Sequence, residues 1–190
     1  MRWLLAAILL LMPVSAKGEK MATEDTKIYP LLVFPSYIKM IKSSVGSRIF
    51  RNLYYEIDGQ PKDVLSNGNL SCAYFVGAIL RHFGLISEWR TSVDGMIEEM
   101  KLAGWSKIEK PISGSVIVWE ARVTRRNGKP HKHIGFYIGN SRVVSTSSGR
   151  GYPIIHGVKD GDRKVIAIFI HLSFPTPKAS FGNPEIGDKK

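Results

Sequence analysis

The chain has 190 residues, a net charge of +11 and one cysteine, Cys72. That length supports a single domain with a proper core and is short for two, and one cysteine excludes an internal disulfide. The basic residues are scattered, with Lys39, Lys42, Arg48 and Arg51 in one segment and Arg122, Arg125, Arg126, Lys129 and Lys132 in another; no aromatic platform interleaves with them, which argues against a nucleic-acid groove.

Arg2 precedes an uncharged run from Trp3 to Met12, and Val14-Ser15-Ala16 supplies the small residues a signal peptidase accepts, so residues 1–16 read as a secretory signal cleaved after Ala16. A membrane span needs about 20 apolar residues, and this run stops at Pro13. The expected product is exported to the periplasm or the exterior as a monomer with no stable membrane span. Arg2 is the only charge removed, so the net charge falls from +11 to +10, a surface that seeks anionic envelope polymers; nucleic acid is out of reach there. Residues 17–28 are polar and aperiodic and read as a flexible leader, with order expected from Tyr29.

From Ser36, the residues Tyr37, Ile38, Ile41 and Val45 recur at helical spacing up to Gly46. Residues 49–57 are ambiguous, and Asp58-Gly59 and Asn67-Gly68 mark turns. Ser71 or Asn69 can cap a helix whose apolar face is Cys72, Phe75, Val76, Ile79, Leu80 and Phe83, ending at Gly84. Thr91 or Ser92 can cap a second helix, with Val93, Met96, Ile97, Met100 and Ala103 inward and Gly104 as its stop.

Beyond Trp105 the period becomes that of strands, over 115–123, 132–139, 142–146, 153–156 and 165–171. Asn127-Gly128 and Gly139-Asn140-Ser141 turn the first two pairs, which predicts an antiparallel sheet. Three prolines after Ser173 predict an irregular tail over 174–190, leaving 29–173 as the domain. The class is α+β, with the Cys72 helix packed on a C-terminal antiparallel sheet.

A cysteine at a helix start meets unpaired N–H groups and a partial positive charge, which favour thiolate. His133 opens the second long strand, where a neutral imidazole can take the thiol proton and later protonate a leaving amine, the chemistry of acyl transfer. The Cys72 N–H is the one nameable oxyanion donor. Trp119 and Tyr137 read as core aromatics or as cleft lining. An orienter for His133 is expected among His156, Ser145 and Glu120.

At these residues the chain resembles the NlpC-type papain-like cysteine peptidases of bacterial cell walls. Their nucleophile motif, Asp-Cys-Ser-Gly-Phe-Val, is met by Ser71-Cys72-Ala73-Tyr74-Phe75-Val76, and their His-Val-Gly-Ile-Tyr-Ile-Gly strand by His133 to Gly139. Pro111 to Ile117 resembles their Pro-x-x-Gly-Asp-Leu-Val lead-in, so the likeness runs over roughly residues 60 to 160. The departures are Ser71 for Asp, Ala73-Tyr74 for Ser-Gly, and Ser145 in the third polar column, twelve positions past His133. The resemblance implies a papain-like fold and an exported hydrolase that cleaves amide bonds, in peptidoglycan stem peptides, through a thioester at Cys72 with His133 as base. It favours His156 as the orienter, in direct contact with His133. His131 and His133 share a strand face at metal-ligand spacing, but Lys132 and the family likeness argue for no metal, and no cofactor is implied. The alternatives are a papain-like acyltransferase, a toxin-like amidase on another substrate, and a silent wall-binding module.

Overall fold

Tyr37 and Ile41, one helical turn apart, are the two fully buried residues of helix α1 (Val33–Ser43), which starts three residues before the expected Ser36. The buried Tyr37 hydroxyl donates to the Gly114 carbonyl at 3.0 Å, so its polar end is satisfied inside the core. This computed structural model describes residues 30–123 and 128–174; the signal, the leader, Asn127 of the first turn and the tail from 175 lie outside the described residues.

The expected ambiguity at 49–57 resolves into a small hairpin, β1 (Tyr54–Ile57) with β2 (Gln60–Asp63), turned by Asp58-Gly59 with both residues at positive φ. All of β1 is exposed, so no buried face marks it in sequence. Helix α2 (Cys72–His82) buries Ala73, Phe75, Val76, Gly77, Ile79 and Leu80. Its four large apolar side chains are each worth about 1.5–3 kcal/mol of burial. Helix α3 (Val93–Leu102) is capped by Ser92, whose Oγ accepts the Gly95 N–H at 3.1 Å, which decides between the two expected caps.

Six antiparallel strands complete the domain: β3 (Trp105–Lys107), β4 (Val116–Val123), β5 (Pro130–Tyr137), β6 (Arg142–Ser147), β7 (Tyr152–Gly157) and β8 (Val165–His171), in the spatial order β3-β8-β4-β5-β6-β7. Alternation divides each strand between two faces. Val116, Val118, Ile134, Phe136, Val144 and Phe169 join the main core with Phe75, Ile79 and Met96 of the helices, while Ile117, Trp119, Val143 and Ile168 form a second cluster. Phe174, one residue beyond the expected end of the domain, packs its ring 5.1 Å from Phe34 and 4.9 Å from Tyr37. The chain is thus α+β, with three helices packed against a six-stranded antiparallel sheet and the Cys72 helix on β5 and β6. No helix among the described residues is long and apolar enough to cross a membrane.

Candidate active site

Asp63, at the end of β2, organises the approach to Cys72. Its carboxylate accepts the backbone N–H groups of Leu53, Leu65 and Asn67 and the Asn52 amide, at 2.7–3.1 Å. Desolvation raises its pKa, but those bonds outweigh it and hold the carboxyl below its ordinary value. Gly68 then presses the loop against the β6–β7 turn: a Cβ there would lie 2.4 Å from the Gly151 carbonyl oxygen, and its φ of +88° excludes most side chains.

Neither expected cap closes α2. The fully buried Ser71 hydroxyl donates to the Gly68 carbonyl at 2.9 Å, a bond that a carboxylate could not make, and the Asn69 amide donates to the Ser66 carbonyl. The first N–H groups of α2 are thereby left for the thiol. The Cys72 sulfur interacts with the N–H of Cys72 itself, of Ala73 and of Ile134, the residue next to His133. Strand β5 pairs with β6 in register at Phe136↔Val144 and Tyr137↔Val143. Helix α2 packs against both strands here.

His133 is opposite Trp119 on β4. The fully buried Trp119 ring underlies two imidazoles, with centroids 5.4 Å from His133 and 5.8 Å from His156, and its indole N–H donates to the Val158 carbonyl. Trp119 is therefore a floor beneath the imidazoles, as the core reading expected. Tyr137 is half-buried, and its hydroxyl accepts the Ser141 N–H at 3.2 Å.

The expected direct contact between His133 and His156 is not made. Strand β6 lies between β5 and β7, and two strand spacings of about 4.8 Å are too wide for one hydrogen bond. Ser145 on β6 fills the gap: its Oγ is 2.8 Å from His133 Nε2 and 2.7 Å from His156 Nε2. Gly135 admits it, since a Cβ there would lie 2.6 Å from the Ser145 Cβ. Glu120 is engaged elsewhere, accepting the Lys164 N–H.

The far end of this chain sets its direction. His156 Nδ1 lies 2.7 Å from the Gly157 carbonyl oxygen, which can only accept, so Nδ1 carries the proton. In the neutral ring Nε2 is then an acceptor and takes the Ser145 O–H. The Ser145 oxygen in turn accepts the Nε2–H of His133, so the lone pair of His133 sits on Nδ1. Sequence reading had Ser145 and His156 as rivals; in the structure they are hydrogen-bonded in series with His133.

Burial pushes the Cys72 thiol above its ordinary pKa, opposed by the Ile134 and Ala73 N–H groups and by the charge of Arg163. Burial also pushes His133 down to about 4, with Asp160 opposing and Arg163 and His156 adding to the fall. Thiol and imidazole are therefore both neutral at rest at pH 7. The expectation that the helix end yields a thiolate is corrected: desolvation outweighs the helix amides.

Cys72, His133, Ser145 and His156 all line one open cleft of about 990 Å³. Among solved structures, the chain is similar to NlpC2 from Trichomonas vaginalis. That structure is 13% identical to this chain with a TM-score of 0.45, and the match covers 76% of this chain and 50% of that one. This chain thus spans about half the length of the protein it is similar to. No protein-family model and no curated relative matches the sequence. His131, the residue read as a second metal-type imidazole, lines the same cleft; among the described residues no three His, Cys, Asp or Glu side chains are gathered to hold a metal ion.

Proposed function

We propose that the protein is a cysteine hydrolase acting on amide bonds, with Cys72 as nucleophile, His133 as base, and Ser145 and His156 as positioning residues. The observation that carries this reading is the one-way hydrogen-bond chain from Gly157 through His156 and Ser145, which leaves the basic nitrogen of His133 at Nδ1. His133 Nδ1 takes the thiol proton as the Cys72 sulfur attacks the scissile carbonyl carbon. The developing oxyanion is met by the Cys72 N–H at the uncapped end of α2, with the Ala73 N–H beside it. The carbon–nitrogen bond breaks as the imidazolium returns its proton to the departing amine, leaving a thioester at Cys72. Water then attacks the thioester with His133 again as base, releasing the acid and restoring the thiol.

The substrate reading is a peptide stem of the bacterial cell wall, reached by export. It is supported by the signal-like first 16 residues, by the basic surface, and by the resemblance around Cys72 and His133. The test is incubation of the chain from Lys17 with purified sacculi, followed by mass analysis of released fragments against a Cys72→Ser control. Fragments with new amine and carboxyl ends in the wild type alone are the expected result. Equal release by both proteins, or release by neither from sacculi or from amide-linked peptides, would overturn the reading.

A further inference from the structure

Arg163 stands in the connection between β7 and β8, on the wall of the cleft that holds Cys72 and His133. Only 13% of its side chain is exposed, and Nη1 lies 3.4 Å from the carboxylate of Asp160, which is itself 36% exposed. The Arg163 Nε–H is buried and has no hydrogen-bond partner among the described residues. A buried guanidinium with an unfilled donor costs stability, and a purely structural arginine avoids that by filling its fork. The arginine that carries this shortfall also lines the cleft.

A second guanidinium closes on the same turn, since a Cβ on Gly161 would lie 3.5 Å from Arg122 Nη1. The cleft is lined by four cations, Arg122, Lys132, Lys159 and Arg163, against two carboxylates, Asp94 and Asp160. Lys132 is paired with Asp94 and Arg163 with Asp160, and neither Arg122 nor Lys159 has a carboxylate partner among the described residues. The net field in the cleft is positive beside the thiol. It reaches the thiol too, since the charge of Arg163 bears on both Cys72 and His133.

We infer that this wall is a subsite for a carboxylate of the acyl substrate, held at Arg163 with Arg122 beside it while the scissile carbonyl rests at the Cys72 sulfur. Guanidinium and carboxylate match in shape and charge, and a guanidinium already half-answered by Asp160 suits a monoanion better than a phosphate dianion. The substrate class is therefore an amide with a free carboxylate close to the bond that breaks. The inference rests on the reading of Cys72 as nucleophile, and the experiment separates the two.

The probes are iodoacetate and iodoacetamide, each losing iodide as the Cys72 sulfur bonds to its methylene carbon. Both meet the same thiolate, so the ratio of their alkylation rates cancels the thiol pKa and reports the preference of the site for a carboxylate. Rates are read by intact mass on the chain from Lys17, with N-acetylcysteine as the baseline ratio. The wild-type ratio should exceed the baseline by about ten-fold, Arg163→Gln should return it to within about two-fold, and Arg163→Lys should keep part of it. Acetate should slow the iodoacetate reaction more than chloride at equal ionic strength, and more than phosphate does. A wild-type ratio at the baseline overturns the subsite without any variant, a preference that survives Arg163→Gln overturns the role of Arg163, and stronger competition by phosphate overturns the choice of a carboxylate. If iodoacetamide alkylates Cys72 yet hydrolysis persists, the nucleophile reading fails instead.

Discussion

The proton on His156 Nδ1 determines where the lone pair of His133 lies, although the two rings do not touch. Because Ser145 joins them, removing either link should release the same constraint. Ser145→Ala and His156→Ala should each lower kcat/KM on an amide substrate by a factor on the order of ten to a thousand, and the double variant should be little worse than either single. Additive losses in the double variant would show that the two do not act in series. This puts Ser145 level with His156, where the sequence ranked it the lesser partner. The depressed pKa of His133 makes a second prediction. Below its pKa of about 4 the ring is protonated and cannot accept the thiol proton, so the acid limb of kcat/KM should fall near pH 4, not near the ordinary histidine value of about 6.5. The same shift acts on stability. The unfolded state binds a proton below about 6.5 and the folded state only below about 4, so stability is lost as pH falls through that window, by up to roughly 3 kcal/mol. Denaturant melts of His133→Gln against wild type at pH 7 and pH 4.5 measure it; parallel losses in both proteins would remove His133 as the cause.

Two close backbone approaches hold the elements that carry these side chains. Gly135 lets β6 bring Ser145 against β5, and Gly68 lets the loop before α2 meet the β6–β7 turn. Gly135→Ala should force Ser145 away from His133, lowering activity together with stability, by about 1–3 kcal/mol in a denaturant melt. Gly68→Ala meets backbone on both counts, space and φ, and should cost at least as much. A full-strength melt with normal activity in Gly135→Ala would mean that β5 and β6 can part further without loss. The helices were readable element by element because an apolar stripe at period 3.6 needs only its own residues to be seen. The hairpin β1–β2 has no buried face, and only its Asp58-Gly59 turn marked it.

Over the whole molecule, the proposed export predicts a mature chain that begins at Lys17, which N-terminal sequencing would check; a retained Met1 in a membrane fraction would overturn both the proposed compartment and the proposed substrate. The sequence by itself determined the α+β class, the helix bearing Cys72, the five long strands after residue 114, and Cys72 with His133 as the residues to watch. These are local: periodicity, turn residues and a thiol at a helix start are written in neighbouring positions. Strand order was not local. Placing β6 between β5 and β7 turned two candidate orienters into one hydrogen-bonded chain, and packing α2 on β5 brought the Ile134 N–H to the thiol. Charge at the site was likewise decided by packing. A helix start argues for thiolate, but burial desolvates both groups and leaves them neutral, because the cost of burying a charge depends on every element that excludes water from it. Arg163, ninety-one positions from Cys72, gave no sequence signal at all, since only the folded chain brings its guanidinium, paired to Asp160 but with the Nε–H unfilled, to the cleft.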